Sequence, residues 1–197
     1  MSQQIRLAAW LDAALPHLLP DFLPRQRWFG GKARPIASVA VKDAVWLDAV
    51  RPCAIAVIVV RYGDGGRQRN AVLLAFDTGE AGLPVVGGVA GPAPAVVEAA
   101  TDADAVLALL RGFAPAGVRE LPMQRGGKLH YRDVDEVATG VLGAGGDRPI
   151  VRPFGVEQSN TSLRLDQTLV FKNEINNRPT WVRIPLGGIV RILERHV

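Results

Sequence analysis

A short polar run, Gln158-Ser-Asn-Thr-Ser162, leads into two alternating segments, Ser162 to Leu165 and Thr168 to Lys172, the second of which ends on a lysine. Small hydroxyl and amide side chains, with the backbone N–H groups of a turn, bind phosphate oxygens, and a lysine on an adjoining strand adds a point charge to them. Alternation puts Val170 and Lys172 on one side of the second segment and Leu169 and Phe171 on the other. If Gln158, Ser159, Asn160, Thr161, Ser162 and Lys172 surround a phosphate chain, Val170 packs against the base. The same residues also make an ordinary hairpin preceded by a Ser/Thr/Asn turn, and the pattern alone leaves both readings open.

A second dense cluster is Leu23-Pro-Arg-Gln-Arg-Trp-Phe-Gly-Gly-Lys-Ala-Arg34. Trp28 and Phe29 can pin a turn against a core, Gly30-Gly31 lets the chain reverse, and the cationic side chains can lie over apolar surface. An anion or sugar site made by Arg25, Arg27 and Lys32 is the alternative, and the spacing does not choose between them. The single cysteine, Cys53, sits in the apolar run Cys53 to Val60, which excludes an intrachain disulfide and reads as a buried strand thiol. His17, His130 and His196 are isolated from one another and read as ordinary surface or packing residues, so no metal ligand set is assigned.

The elements that must hold these residues follow from periodicity. Ile5 to Leu19 has mixed helical spacing interrupted by Pro16, Pro20 and Pro24, which predicts a short N-terminal helix and a kinked continuation. From Ile36 onward three strand-like runs follow: Ser38 to Leu47, Ala54 to Tyr62 and Asn70 to Phe76. Gly63-Asp-Gly-Gly66 supplies a tight hairpin between the last two. Thr101 can cap a helix over Ala105 to Leu110, with Asp102 and Asp104 at its positive end. The Gly/Pro-rich stretch from Gly79 to Pro94 marks a candidate boundary, placing a join near residue 95. Asp166-Gln167 is the hairpin signal between the two late strands. The class read from these elements is α+β with mainly antiparallel strands.

The 197 residues carry 21 Gly and 14 Pro without a repeat, 48% apolar residues and a formal charge of +4. These proportions fit a globular, turn-rich chain and argue against collagen-like or disordered classes. Arg and Lys are spread without a basic run, so no nucleic acid partner is expected. The longest uncharged stretch, Ala81 to Val97, is broken by seven Gly and Pro residues, so no membrane span is expected. Arg6, Asp12 and Pro16 interrupt the first apolar stretch, and without a signal-like core the chain reads as cytoplasmic.

The two clusters carry a resemblance. Leu23 to Arg34 resembles the Leu-Pro-Arg-Gln-Arg-Trp-Phe-x-Gly-Lys-x-Arg signature of the maltokinase N-terminal cap, and Glu157 to Lys172 resembles that family's Glu-Gln-Ser-Asn-Thr-Ser loop and lysine strand. The family occurs free or fused to trehalose synthase and phosphorylates maltose with ATP and Mg2+; related actinobacterial members phosphorylate glucosamine. The resemblance implies a cap with a curved antiparallel sheet and a helix over residues 1–95. It further implies part of a small nucleotide-binding lobe, like those of protein kinases and aminoglycoside phosphotransferases, over 96–172, and a divergent tail over 173–197. It assigns Gln158, Ser159, Asn160, Thr161 and Ser162 to the phosphate loop and Lys172 to the ATP phosphates, with Val170 against the base.

Beyond Lys172 the sequence departs from the family. Its Asn-Pro-x-x-Glu helix, whose glutamate pairs with the lysine, is replaced by Asn173-Glu-Ile-Asn-Asn-Arg-Pro-Thr-Trp-Val-Arg183. Glu174 lies too near Lys172 in sequence for that role, and Glu194 lacks the flanking motif. No His-Gly-Asp or Asp-Trp/Phe-Glu segment occurs, so no catalytic residue and no metal ligand is assigned. The expectation is the N-terminal portion of an ATP-dependent maltose or related sugar kinase, inactive alone. A non-catalytic module docking its cap onto trehalose synthase, and a non-functional remnant, are the alternatives.

Overall fold

The computed structural model of the chain describes residues 9, 11–47, 52–76, 85–88, 95–113, 117, 119–133, 151–153, 162–165, 169–174, 181–184 and 188–193. Helix α1 spans Leu15–Phe22 and passes into a 3-10 turn at Leu23–Arg25. The expected proline interruptions do not stop it. Pro16 stands in the first turn, where its missing N–H has no intrahelical partner to lose. Pro20 lies inside the helix, at a cost of about 3 kcal/mol in an ordinary interior position. Leu15, Leu19 and Phe22 are all but fully buried one turn apart, and each contributes about 1.5–3 kcal/mol, enough to offset it.

The first sheet contains β1 (Ile36–Leu47), β2 (Cys53–Tyr62), β3 (Arg67–Phe76), β4 (Val85–Gly88) and β5 (Ala95–Glu98), in the order β1-β2-β3-β5-β4 and antiparallel throughout. It is a curled, half-barrel-like sheet with helices, an α+β cap-like arrangement. β2 is apolar without alternation because both its faces are covered. Ala54, Ala56, Ile58 and Val60 join Leu15, Leu19 and Phe22 in one core. Cys53, Ile55 and Val57 join a second core with helix α2 (Ala103–Leu110), whose Ala105, Val106 and Leu109 are buried there. The helix is capped by Asp102, whose Oδ1 accepts from the Ala105 N–H at 2.9 Å, rather than by the expected Thr101.

The Gly63–Gly66 turn forms as read: Gly65 takes φ +84° and Tyr62 accepts its N–H at 3.0 Å. β3 begins at Arg67, earlier than the expected Asn70. The Gly/Pro stretch contains β4, and Ala95, where the join was expected, is the first residue of β5. Both strands belong to the first sheet, held by Val96 and Val97 in its two cores. Gly87 makes this possible, since a Cβ there would lie 2.5 Å from Leu18 Cδ1 of α1.

A second sheet contains β6 (Glu120–Pro122), β7 (Lys128–Asp133), β8 (Val151–Pro153), β9 (Ser162–Leu165), β10 (Leu169–Glu174), β11 (Trp181–Ile184) and β12 (Gly188–Leu193). Its order is β6-β7-β12-β11-β10-β9-β8, again antiparallel, so the strands of the tail stand between β7 and β10. The registers carry no bulge and sort the residues cleanly by face. Leu163, Leu165, Leu169, Phe171, Val182 and Val190 share one face with Leu129 and Tyr131, which are buried in the second core of the first sheet. The polar residues of the strands fall mainly on the other. Among the described residues no helix is long and apolar enough to cross a membrane.

Candidate functional site

The β8-β9-β10 edge of the second sheet carries the phosphate-binding candidates. Val151 pairs with Leu165 and Pro153 with Leu163, so the chain leaves β8 and returns at Ser162 on one end of the sheet. Leu165 pairs with Leu169, and the same register puts Lys172 beside Ser162; the expected Asp166-Gln167 turn lies outside the described residues. Val170 pairs with Arg164, two residues along β10 and on the same face as Lys172. Of the residues assigned from sequence, Ser162, Val170 and Lys172 are brought together; Gln158, Ser159, Asn160 and Thr161 lie outside the described residues.

The Leu23–Arg34 cluster folds as the structural reading expects. Leu23 and Phe29 are buried in the α1 core, and Phe29 meets Trp28 edge to face at 6.2 Å. Gly31 lies against the Tyr62 hydroxyl so closely that any Cβ would overlap it. Arg34 forks onto Asp64, with Nε–Oδ2 at 3.0 Å and Nη2–Oδ1 at 2.6 Å, and its guanidinium stacks 3.8 Å above the Tyr62 ring. The hydrogen bonds from Arg34, with that from the Gly66 N–H, hold the Asp64 carboxyl below its usual range. Of the three cations proposed for an anion site, Lys32 lines a groove of about 390 Å³ with Pro20, Asp21, Pro24 and Arg34. Arg25 instead donates from Nε to the Asp21 carbonyl at 2.9 Å, and the three do not converge on the groove.

The join between the two sheets was invisible in the sequence. Asp43 is buried on β1, where a register shift after Val41 turns it to the face of the second core. Its Oδ1 accepts from the N–H groups of Ala44 (2.9 Å) and Arg125 (2.8 Å), and its Oδ2 from Gly127 at 3.0 Å. The β6-β7 turn is thereby fastened to β1. Arg125 adds bonds to the Val41 carbonyl and, at 2.5 Å, to Asp12 before α1. The one signal available was a carboxylate in the middle of an apolar strand. A second buried carboxylate, Glu98 at the end of β5, accepts a single bond from the Ala100 N–H at 3.1 Å, and burial pushes its pKa up to about 7. Cys53 is buried on β2, as expected.

Residues 22–107 match the family model of the maltokinase N-terminal cap domain. The match opens at the last turn of α1, takes in the whole first sheet and ends inside α2. The second sheet, with Ser162, Val170 and Lys172, lies beyond it. No curated protein matches the chain. Residues 22–107 are thus similar to a maltokinase N-terminal cap domain.

Proposed function

We propose that residues 22–107 are a maltokinase-type cap, that this chain is the N-terminal portion of an ATP-dependent sugar kinase of maltokinase type, and that the β8-β9-β10 edge holds the nucleotide. The reading is supported by one observation above all, the pairing of Lys172 with Ser162, the last residue of the polar run 158–162. Backbone N–H and hydroxyl groups of that segment, with the lysine charge beside them, would hold the phosphates of ATP, and Val170, two residues along the same face, would meet the base. The acceptor is maltose or another sugar.

Phosphoryl transfer also needs a base for the attacking hydroxyl and carboxylates for Mg2+. The set Gln158, Ser159, Asn160, Thr161, Ser162, Val170 and Lys172 contains no carboxylate, so these residues do not fit a metal and no step is routed through one. What they do is bind and orient. A non-catalytic module whose cap docks onto trehalose synthase is the second reading, favoured by the confinement of the family match to residues 22–107.

The test is calorimetric titration with ATP of the wild type and of Lys172→Met, which keeps the stem and removes the charge, with thermal melts alongside. A charge-assisted phosphate contact contributes about 1.5–3 kcal/mol, so affinity should fall roughly 10- to 150-fold. Equal ATP affinity with unchanged melting would mean that Lys172 is a solvated strand residue and the nucleotide reading is wrong.

A further inference from the structure

The second core covers only part of the face on which it lies. Ile55 and Val57 of β2 and Ala71 and Leu73 of β3 are buried in it, but toward the Gly63–Gly66 turn the same face opens. Alternation continues that face through Val59 and Arg61 of β2, Arg69 and Arg67 of β3, and Ser38 and Ala40 of β1. Val59 is half-buried there and the other five are exposed, while the intervening Val39 and Val60 are buried in the α1 core on the opposite face.

Register sets Arg61 directly opposite Arg67, with Ser38 on the other side of Arg61, and places Arg69 one row on, opposite Val59. Directly opposed residues of an antiparallel pair have Cβ atoms about 4.5–5.5 Å apart, and like charges so placed destabilise a sheet. Asp64, the carboxylate in the turn that joins the two strands, is already forked by Arg34, whose guanidinium lies over the ring of Tyr62 in the α1 core. Among the described residues neither the Arg61 nor the Arg67 guanidinium has a hydrogen-bond or ion-pair partner. Carboxylates brought in from outside the chain would relieve the repulsion between them.

We infer that this open face of β1-β2-β3, centred on Arg61 and Arg67, docks an acidic segment of a partner protein whose carboxylates the two arginines fork. The composition of the face fits such a partner. Arginine is the cation enriched at protein interfaces, and its planar fork takes a carboxylate by two hydrogen bonds. The small side chains of Ser38 and Ala40 let a second backbone come close, and successive rows lie about 6.8 Å apart, the spacing of alternate residues on an extended chain. The face carries no aromatic ring on which a nucleic acid base could stack. A second copy of the chain meeting it by two-fold symmetry would set arginine against arginine. The inference stands whether or not Lys172 binds a nucleotide.

The experiment is titration of the full chain at low salt with labelled octaglutamate, octaglutamine and an oligothymidylate of the same length, read by fluorescence anisotropy. It is run on the wild type, the double variant Arg61→Gln/Arg67→Gln, and Arg61→Glu, with a thermal melt of each. The wild type should bind octaglutamate, and more tightly than either other probe. The double variant should lose about 5- to 30-fold in octaglutamate affinity, the upper range for two exposed charge pairs. Arg61→Glu should weaken octaglutamate binding and, by setting a carboxylate opposite Arg67, raise the melting temperature. A loss of less than about fivefold in the double variant, or no octaglutamate binding by the wild type at millimolar probe, overturns the inference. Octaglutamine bound as tightly as octaglutamate also overturns it, and tighter binding of the oligothymidylate does so in favour of a nucleic acid. A lower melting temperature in either variant would mean that the arginines already have acidic partners in the folded chain, and overturns it as well.

Discussion

Glu98→Gln should remove a pH dependence from the stability of the chain. Glu98 lies at the end of β5 with 6% of its surface exposed, pairs with Leu74 of β3, and has one hydrogen bond, from Ala100 N–H to Oε1 at 3.1 Å. That single bond favours the carboxylate, but burial outweighs it and raises the pKa from 4.5 to about 7. A raised carboxyl pKa means that the folded chain binds more protons than the unfolded chain between those values, so stability falls as pH rises through that window. The penalty is absent below about pH 4 and complete above about pH 7, and at 1.36 kcal/mol per unit it amounts to about 3 kcal/mol. Glutamine keeps an oxygen for the Ala100 N–H and cannot ionise. Its amide hydrogens, like the acid's own, bring only a pH-independent offset. Urea denaturation of both proteins from pH 4 to pH 8.5 should show wild type losing ground steadily to Glu98→Gln as pH rises. A difference that stays flat over pH 5–8 would refute the reasoning, because it would mean that Glu98 ionises in the folded chain as readily as in the unfolded one.

Asp43→Ala leaves three N–H groups, those of Ala44, Arg125 and Gly127, without their acceptor, two of them buried; a loss of about 3 kcal/mol in urea denaturation is expected, and less for Asp43→Asn, which keeps one acceptor oxygen. Gly87→Val drives a side chain into Leu18 of α1 and should cost about 1–3 kcal/mol by thermal melt, partly recovered by Leu18→Ala in the double variant. The 197-residue polypeptide should show no maltose-dependent ADP release in a coupled assay, since its sequence has neither a His-Gly-Asp nor an Asp-Trp/Phe-Glu segment; turnover that persists through repurification would show that other residues supply the base and metal groups.

What could be read from the sequence was local. Gly63–Gly66 dictates a hairpin because a positive φ at Gly65 costs a glycine nothing. The alternation of Ser162–Leu165 and of the run ending at Lys172 likewise foretold two paired strands, while the register differs by one residue from the expected two-residue turn: Leu165 pairs with Leu169, not Thr168. The Leu23–Arg34 signature was legible where residues meet a tight packing demand, Phe29 in the core and Gly31 beneath a hydroxyl. Even at short range, neighbours of similar chemistry compete, as Thr101 and Asp102 do for the α2 cap, and only the backbone angle of Asp102 decides between them.

The tertiary structure alone decided what depends on partners far apart in the chain. That Pro20 stays inside α1 reflects the apolar surface buried on either side of it, which no helix propensity contains. The bonds from Asp43 to the 125–127 turn span more than eighty residues, and their sequence signal was one misplaced carboxylate. The Gly/Pro stretch looked like a linker because glycine and proline weaken strands in general; Gly87 instead serves close packing against Leu18, and β4 and β5 finish the first sheet. The insertion of β11 and β12 between β10 and β7, which sets Arg183 opposite Lys172, follows from hydrogen-bond register between strands whose own sequences name no partner.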